Sequence, residues 1–219
     1  RVLRPLRRGA RNGDRLGRPN GSTAGRTLLR LSVDRHPFGC YRSSNEPLVG
    51  AILALARETV ASTASFDEMD LSRTMREALA RAGYEAPTPI QGGLIPRAID
   101  GFDVIGQAQT GTGKTAAFAI PIIDMLDPPG KTKHPQALIL CPTRELAVQV
   151  GEEIRKLSYG TRAESVVVYG GKPIRGQIEK LRRGVEIVVG TPGRVIDHIQ
   201  RGSLVLSELW CVVLDEADR

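Results

Sequence analysis

Ala108-Gln109-Thr110-Gly111-Thr112-Gly113-Lys114-Thr115 is the stretch from which the fold can be read. It follows the apolar run Asp103-Val104-Ile105-Gly106, which reads as a strand, and precedes Ala116-Ala117-Phe118-Ala119-Ile120, which reads as the start of a helix. Strand, glycine-rich loop and helix together are the context that a phosphate-binding loop needs. Gly111 and Gly113 let the backbone of Gln109 to Gly113 curl, so that successive N–H groups point inward and the helix N-terminus adds its partial positive charge. Lys114 is placed to reach terminal phosphates as a cation, and the Thr115 hydroxyl to ligate a magnesium ion. Ala108 stands where the common pattern has Gly, and a small side chain still fits. A turn that merely opens a helix would need neither the lysine nor the threonine after it. The expected ligand is a nucleoside triphosphate with magnesium.

Outward from this loop the chain alternates. Ala137–Leu140, Ser165–Tyr169, Glu186–Val189 and Trp210–Leu214 read as short strands. Between them lie amphipathic helices: one capped by Thr143 with Leu146, Val150, Ile154 and Leu157 on one face, one carrying Ile174, Ile178 and Leu181, and one opened by Thr191-Pro192 with Val195, Ile196 and Ile199. Near-continuous β-branched runs alternating with helices predict an α/β fold, a parallel sheet covered on both faces. Ligands of such sheets bind beyond the carboxyl ends of the strands, which is where every polar motif of the chain falls. Upstream, Ser72 can cap a helix whose apolar positions are Met75, Ala78, Leu79 and Ala82, with Gly83 as its stop.

Two further elements bear on the nucleotide. The chain closes on Cys211-Val212-Val213-Leu214-Asp215-Glu216-Ala217-Asp218-Arg219. An acid at the end of a buried strand beside a phosphate loop, Asp215, is positioned to hold magnesium through its waters. Glu216, next in line, suits general-base work on an attacking water. With Lys114 these form the candidate catalytic set. At Thr88-Pro89-Ile90-Gln91, Thr88 suits an N-cap, Pro89 the first helical position and Gln91 the third, which is a capping box. Gln91 has a second reading as an adenine reader, because a carboxamide pairs bidentately with that base edge, and Phe66 could stack on the ring. On the residues alone, capping is the better account of Gln91.

The net charge of +7 suggests a nucleic-acid footprint, but it is unevenly placed. Residues 1–65 carry 12 Arg and no Lys against four acids, whereas residues 66–219 carry 13 Arg and six Lys against 20 acids. Nucleic-acid binding by the folded part must therefore rest on local motifs. Residues 1–47, rich in Arg, Gly, Pro and Ser, are expected to be disordered or non-native, and 48–65 a linker. An RNA-binding arm and an organellar transit peptide compete with translated upstream sequence for this segment. The opening on Arg1 and a first methionine at Met69 favour the last. The apolar run Leu48–Ala56 is about half the length needed to span a bilayer, so no membrane segment is expected. Cys40, Cys141 and Cys211 have no CxxC spacing and read as small hydrophobes of a reducing compartment. His36, His134 and His198 are too scattered for a metal site, so each is expected to be solvated or packed.

Taken in order, Phe66, GYEAPTPIQ from Gly83 to Gln91, AQTGTGKT, PTRELA from Pro142 to Ala147, Gly170-Gly171, TPGR from Thr191 to Arg194 and DEAD from Asp215 to Asp218 resemble the motifs of the DEAD-box RNA helicases. The resemblance covers residues 66–219 and implies the first RecA-like domain of a P-loop NTPase, incomplete at its C-terminus. It implies that Gln91 reads adenine and Phe66 stacks on it, and that ATP and Mg2+ are the ligands. It likewise implies that Pro142, Thr143, Arg144, Gly170, Gly171, Thr191, Gly193 and Arg194 line an RNA path. Glycine N–H groups, a helix N-terminus and two arginines suit phosphate and sugar, so binding should be independent of sequence. Such proteins carry a further Ser-Ala-Thr strand between the phosphate-loop strand and the DEAD strand, and a second RecA-like domain with arginine fingers. Without them the expectation is an open sheet centre, marginal folding and little ATP turnover by this chain alone. The whole protein is expected to unwind short RNA duplexes in a bacterial or organellar cytoplasm; the alternative is a non-enzymatic, ATP-gated RNA clamp serving as an assembly platform.

Overall fold

A computed structural model of the chain describes residues 24–31, 65–109, 111–127, 133–161 and 163–217. Its elements run in chain order as strand β1 (Ala24–Leu31), helix α1 (Arg73–Arg81), α2 (Pro89–Ile99), β2 (Val104–Gln109), α3 (Lys114–Met125), β3 (Ala137–Leu140), α4 (Arg144–Ser158), β4 (Ser165–Val168), α5 (Ile174–Arg182), β5 (Ile187–Gly190), α6 (Pro192–Gln200) and β6 (Cys211–Leu214). A single 3-10 turn, Phe66–Glu68, precedes α1.

The strands form one sheet in the order β2-β1-β6-β3-β5-β4. β3 pairs in parallel with β5 and β6, and β4 with β5. β1 runs antiparallel to both of its neighbours, so β2 points the same way as the other four. Apolar residues on alternate sides of these strands feed two separate cores. Ala137, Ile139, Ile187, Val189 and Val213 join the core beneath α1 to α4. Leu138, Val188, Val166 and Val168 join a smaller one with Leu181 of α5 and Val195 of α6. The expected α/β layering, a parallel sheet with helices on both faces, is what the chain builds apart from the antiparallel β1.

Sequence reading and structure part at the sheet's centre. An open slot between the phosphate-loop strand and the Asp215 strand was expected, with residues 1–47 outside the fold. Instead Ala24–Leu31 occupies that slot, with Ala24 opposite Gln109, Leu28 opposite both Ile105 and Leu214, and Leu31 opposite Cys211. Two unpaired strand edges facing each other demand a ladder partner. Thr27-Leu28-Leu29-Arg30-Leu31 is an apolar patch of strand-like composition that the Arg/Gly/Pro average of the surrounding sequence conceals. The remaining N-terminal readings, the 48–65 linker and Cys40 among them, fall outside the described residues.

Local chemistry explains the helix boundaries. The Ser72 hydroxyl accepts the Met75 N–H at 3.1 Å and opens α1. Gly83, at φ +76°, ends it, with Tyr84 N–H returning to the Leu79 carbonyl at 3.0 Å. Thr143 caps α4 through a 3.2 Å bond from Leu146 N–H, and Val150, Ile154 and Leu157 are fully buried as their spacing predicts. α6 differs from expectation. Val195 is buried, but Ile196 and Ile199 are 52% and 42% exposed, and the helix turns His198 inward instead.

Candidate nucleotide and RNA-facing site

The site lies along the carboxyl edge of the sheet. Ile105, Leu28, Leu214, Leu140, Gly190 and Val168 stand in one row across all six strands. β3, β6, β5 and β4 end at that row, whereas β2 continues to Gln109. At about 3.3 Å per residue the phosphate loop therefore begins roughly 13 Å beyond the row. Asp215 follows it directly. With one strand between them, β2 and β6 are about 10 Å apart, so loop and carboxylate flank one space.

The loop is held in a curled form by three features. Gly111 and Gly113 have φ of +83° and +84°, a conformation that β-carbon sterics deny to most residues. The Thr112 hydroxyl donates to the Gln109 carbonyl at 2.7 Å, closing the turn on itself. Gln91, only 1% exposed, anchors it from α2: its Nε2 donates to the Gly113 carbonyl at 3.2 Å, while its Oε1 accepts the Thr88 N–H at 2.9 Å. A β-carbon on Gly113 would sit 2.4 Å from that Nε2. Gly106 plays the packing role one turn back, since a β-carbon there would meet Leu94 at 2.9 Å and Ile90 at 3.2 Å of α2. Lys114 and Thr115 form the first turn of α3 and are half-buried at the cradle's mouth. Thr110 lies outside the described residues. Gln91 is thus the cap that one of its two readings made it, and it has a second role that neither reading gave, as the strut of the loop. The Thr88 hydroxyl beside it is buried and has no hydrogen-bond partner among the described residues.

Phe66 departs from expectation. It is 6% exposed, packed in the core with its ring edge-on to Tyr84 at 6.3 Å between centroids. Tyr84 in turn bonds Glu153 through its hydroxyl and lies under the Lys156 ammonium, 5.1 Å from the ring centre. This tethers the segment before α2 to α4 and leaves Phe66 without a free face.

Asp215 is 6% exposed, its N–H bonded to the Leu140 carbonyl at 2.9 Å and its Oδ1 accepting the Glu216 N–H at 3.1 Å. Glu216, at φ +51°, is the one non-glycine residue with positive φ among the described residues. Backbone in this region is uncommon for a side chain of its size and tends to sit where surroundings over-determine it. Cys141, buried at the end of β3, has its thiol pushed up to about 12, first by burial and then by the negative charges of Asp215 and Glu216. It is a protonated, inert thiol that lines the acidic corner, in keeping with its reading as a core hydrophobe. Asp218 and Arg219 fall outside the described residues.

Beyond β3, β4 and β5 the remaining motifs gather on the same edge. Pro142, Thr143 and Arg144 are exposed at the start of α4. Gly171 sits at φ +85° with Arg144 laid against it, a β-carbon there falling 2.5 Å from Nη1. Gly170 and Gly193 face open space. Thr191 precedes α6 without spending its hydroxyl on the cap. Arg194 is not a free cation: its Nη1 donates to the Lys172 carbonyl at 3.1 Å, its Nε lies 3.8 Å from Asp197, and the side chain is 14% exposed. It braces the glycine pair from below. What sequence reading missed is the bracing itself, by Arg194 and by buried Gln177, whose Nε2 donates to the Tyr169 carbonyl at 3.1 Å with His198 behind it. The only signal was a histidine standing at an apolar position of α6.

No group of three or more His, Cys, Asp or Glu among the described residues could hold a metal ion by itself. No helix among them is long and apolar enough to cross a membrane.

Comparison with known proteins gives consistent findings. The family model described as DEAD/DEAH box helicase matches residues 88–219. The chain is 50% identical over 154 residues to the DEAD-box ATP-dependent RNA helicase CshA of Geobacillus kaustophilus, covering 70% of this chain and 32% of that protein. It is 53% identical over 156 residues to the RNA helicase CrhR of Synechocystis, covering 71% of this chain and 31% of the relative. Among solved structures, a DEAD box protein from the hyperthermophile Methanococcus jannaschii superposes with a TM-score of 0.61 at 40% identity, over 68% of this chain and 40% of that one. The chain therefore spans about a third of the length of the curated relatives it matches.

Proposed function

Because the chain belongs to the DEAD/DEAH box helicase family, we propose that it forms the ATP-binding and RNA-gripping portion of an ATP-dependent RNA helicase. The observation that carries this reading is the single edge of the sheet on which the curled phosphate loop, the Asp215–Glu216 corner and the exposed Pro142–Arg144, Gly170-Gly171 and Thr191–Arg194 segments all meet. ATP and RNA would lie next to each other along it.

The residues fit a magnesium nucleotide. Two glycines in left-handed conformation let the loop curl with its N–H groups turned to a common side, and at Gly111 a β-carbon would meet nothing within 4 Å. Lys114 supplies a cation, and Thr115 and Asp215 supply a hydroxyl and a carboxylate on opposite sides of the space. In this reading Thr115 and, through water, Asp215 would hold the ion, which when bound neutralises charge on the phosphates. Glu216 orients and deprotonates the attacking water, aided by the backbone constraint that fixes its side-chain origin. For Gln91 to read the adenine edge, its carboxamide would have to turn out of the bonds to the Gly113 carbonyl and the Thr88 N–H. Phe66 would have to leave Tyr84 to stack on the base, so adenine recognition is coupled to a local opening of the Thr88–Gln91 turn.

For RNA, Gly170 and Gly193 offer backbone N–H groups, Thr143 and Thr191 offer hydroxyls, and Arg144 offers an exposed guanidinium. This is a donor set for phosphate and ribose, with nothing that reads base edges. The proposed activity of the whole protein is separation of short duplexes driven by ATP. Titration of the complete protein with a fluorescent ATP analogue and with unrelated single-stranded RNAs tests it. Lys114→Ala should abolish nucleotide binding, Arg144→Ala should weaken all RNAs alike, and sequence-selective RNA binding would refute the backbone-only grip.

A further inference from the structure

A buried polar chain runs beneath the Gly170-Gly171 turn and has no part in the chemistry above. His198 of α6 is fully buried, with Nδ1 2.8 Å from the Ser203 hydroxyl and Nε2 3.1 Å from Gln177 Oε1. Gln177 of α5, 8% exposed, donates through Nε2 to the Tyr169 carbonyl at 3.1 Å.

The direction of every bond follows from its far end. A backbone carbonyl only accepts, so the Gln177 amide must turn Nε2 toward Tyr169 and Oε1 toward the histidine. Oε1 only accepts as well, so His198 must carry its proton on Nε2. In the neutral ring Nδ1 is then an acceptor, and the one Ser203 hydroxyl proton goes to it at 2.8 Å, because the His198 carbonyl, 3.1 Å from the same hydroxyl, already accepts the Ser203 and Leu204 N–H groups at 3.0 and 3.2 Å. The histidine therefore fixes which way the glutamine faces, and the glutamine fixes the Tyr169 carbonyl.

That carbonyl belongs to the same planar trans peptide as the Gly170 N–H, so the two point in opposite directions. Holding the carbonyl toward α5 turns the Gly170 N–H away from it, and a β-carbon on Gly170 would meet nothing within 4 Å, which leaves room for a ligand to approach this residue. Arg194, on the same helix as His198, fixes the next carbonyl but two, that of Lys172. One helix thus sets the peptide planes on both sides of the glycine pair.

We infer that His198, acting through Gln177, is a positioning residue that aims the Gly170 N–H as a phosphate donor for RNA. The inference rests on the reading of Gly170-Gly171 as part of the RNA path. Neither side chain touches RNA; each acts on a donor that does.

The complete protein is the right material. His198→Phe keeps the volume and removes the donor, Gln177→Leu removes the middle link, and His198→Gln restores an amide N–H near the position of Nε2. The expected result is a roughly 3- to 10-fold loss of RNA affinity in the first two, the worth of one hydrogen bond, with ATP affinity within twofold of the parent and much of the RNA loss recovered in His198→Gln. Unchanged RNA affinity in both Phe and Leu variants overturns the inference. Parallel loss of RNA and ATP affinity also overturns it, since that marks a merely structural role. Nitrogen-15 NMR of the unmutated protein reads the relay without any folding risk: a proton on Nε2 is expected, and one on Nδ1 breaks the chain of argument. Arg144→Ala separates the two levels of the proposal. If it leaves RNA affinity intact while His198→Phe lowers it, the path is wrongly drawn but the relay stands; if neither matters, both fail.

Discussion

Replacing Gly113 with alanine tests the coupling between the phosphate loop and the helix behind it. Two penalties act. At φ +84° an L-residue costs about 1–2 kcal/mol in left-handed backbone. The new methyl also falls 2.4 Å from Gln91 Nε2, and moving that amide gives up its bonds to the Gly113 carbonyl and the Thr88 N–H, about 0.5–1.5 kcal/mol each. The total is about 2–5 kcal/mol. If the loop keeps its shape, the loss shows as reduced stability; if it relaxes, the remainder shows as reduced affinity for ATP, because binding must restore the curl. The sum of the two losses is thus the quantity to compare, with urea unfolding giving one part and titration with a fluorescent ATP analogue the other. A double-mutant cycle with Gln91→Ala isolates the clash. In that background Gly113→Ala should cost only the backbone part, leaving a coupling of at least about 1 kcal/mol. A summed loss under about 1 kcal/mol, or strict additivity with Gln91→Ala, would refute the reasoning.

Other expectations follow from the same site. Glu216→Gln in the complete protein should keep ATP affinity within a few-fold and lower turnover by roughly 10²–10⁴, the usual weight of a general base; turnover near that of the parent in a steady-state phosphate-release assay would remove Glu216 from the mechanism. His198 has its pKa lowered, first by burial and then by Arg194. The unfolded chain therefore takes up a proton near pH 6.5 that the folded one refuses, so stability is unaffected above that pH and declines as pH falls below it. Urea midpoints should show this decline in the parent and lack its histidine component in His198→Gln. With its thiol pushed up to about 12, Cys141 has only about one thiolate in ten thousand at pH 8. With Cys40 replaced by serine, Ellman's reagent should stay unreactive until the protein unfolds, and fast stoichiometric labelling of the native state would contradict the burial of this corner.

The layering of the fold was legible in the sequence because each strand between residues 137 and 214 is a short apolar run, most of them β-branched, and these runs alternate with helices of recognisable period. Thr143 and Ser72 announced their caps through chemistry that acts over three residues, and the structure bears both out. Signals of that kind are local. β1 was not legible because eight residues take their structure from two strands far away in sequence, whereas composition averages over dozens. The inward turn of His198 escaped for a related reason. Its neighbours Ile196 and Ile199 looked like the buried face, and only the partners Gln177 and Ser203, on other segments, make a polar ring preferable there. For the site, residue types sufficed to mark the loop and the acidic corner. They did not show that Gln91 would act as cap and loop strut at once, or that Phe66 would be taken into the core by Tyr84.

The strand at the centre of the sheet also governs when the sheet can close. Leu31 pairs with Cys211 roughly 180 residues away, and within the sheet of the described residues β2 reaches the other parallel strands through β1. A growing polypeptide can assemble β3, β4 and β5 with their helices from neighbouring sequence, but β2 and its loop are held to them by helix packing, chiefly of α3 on α4, and join the sheet when β6 has been made and an early strand has found its place beside it. Contacts of such high sequence separation form slowly because loop entropy is spent before they are made. The nucleotide site, whose halves sit on β2 and β6, is thus a late product of folding, and the long interval before it forms leaves two bare strand edges open to chaperones or to other copies of the chain.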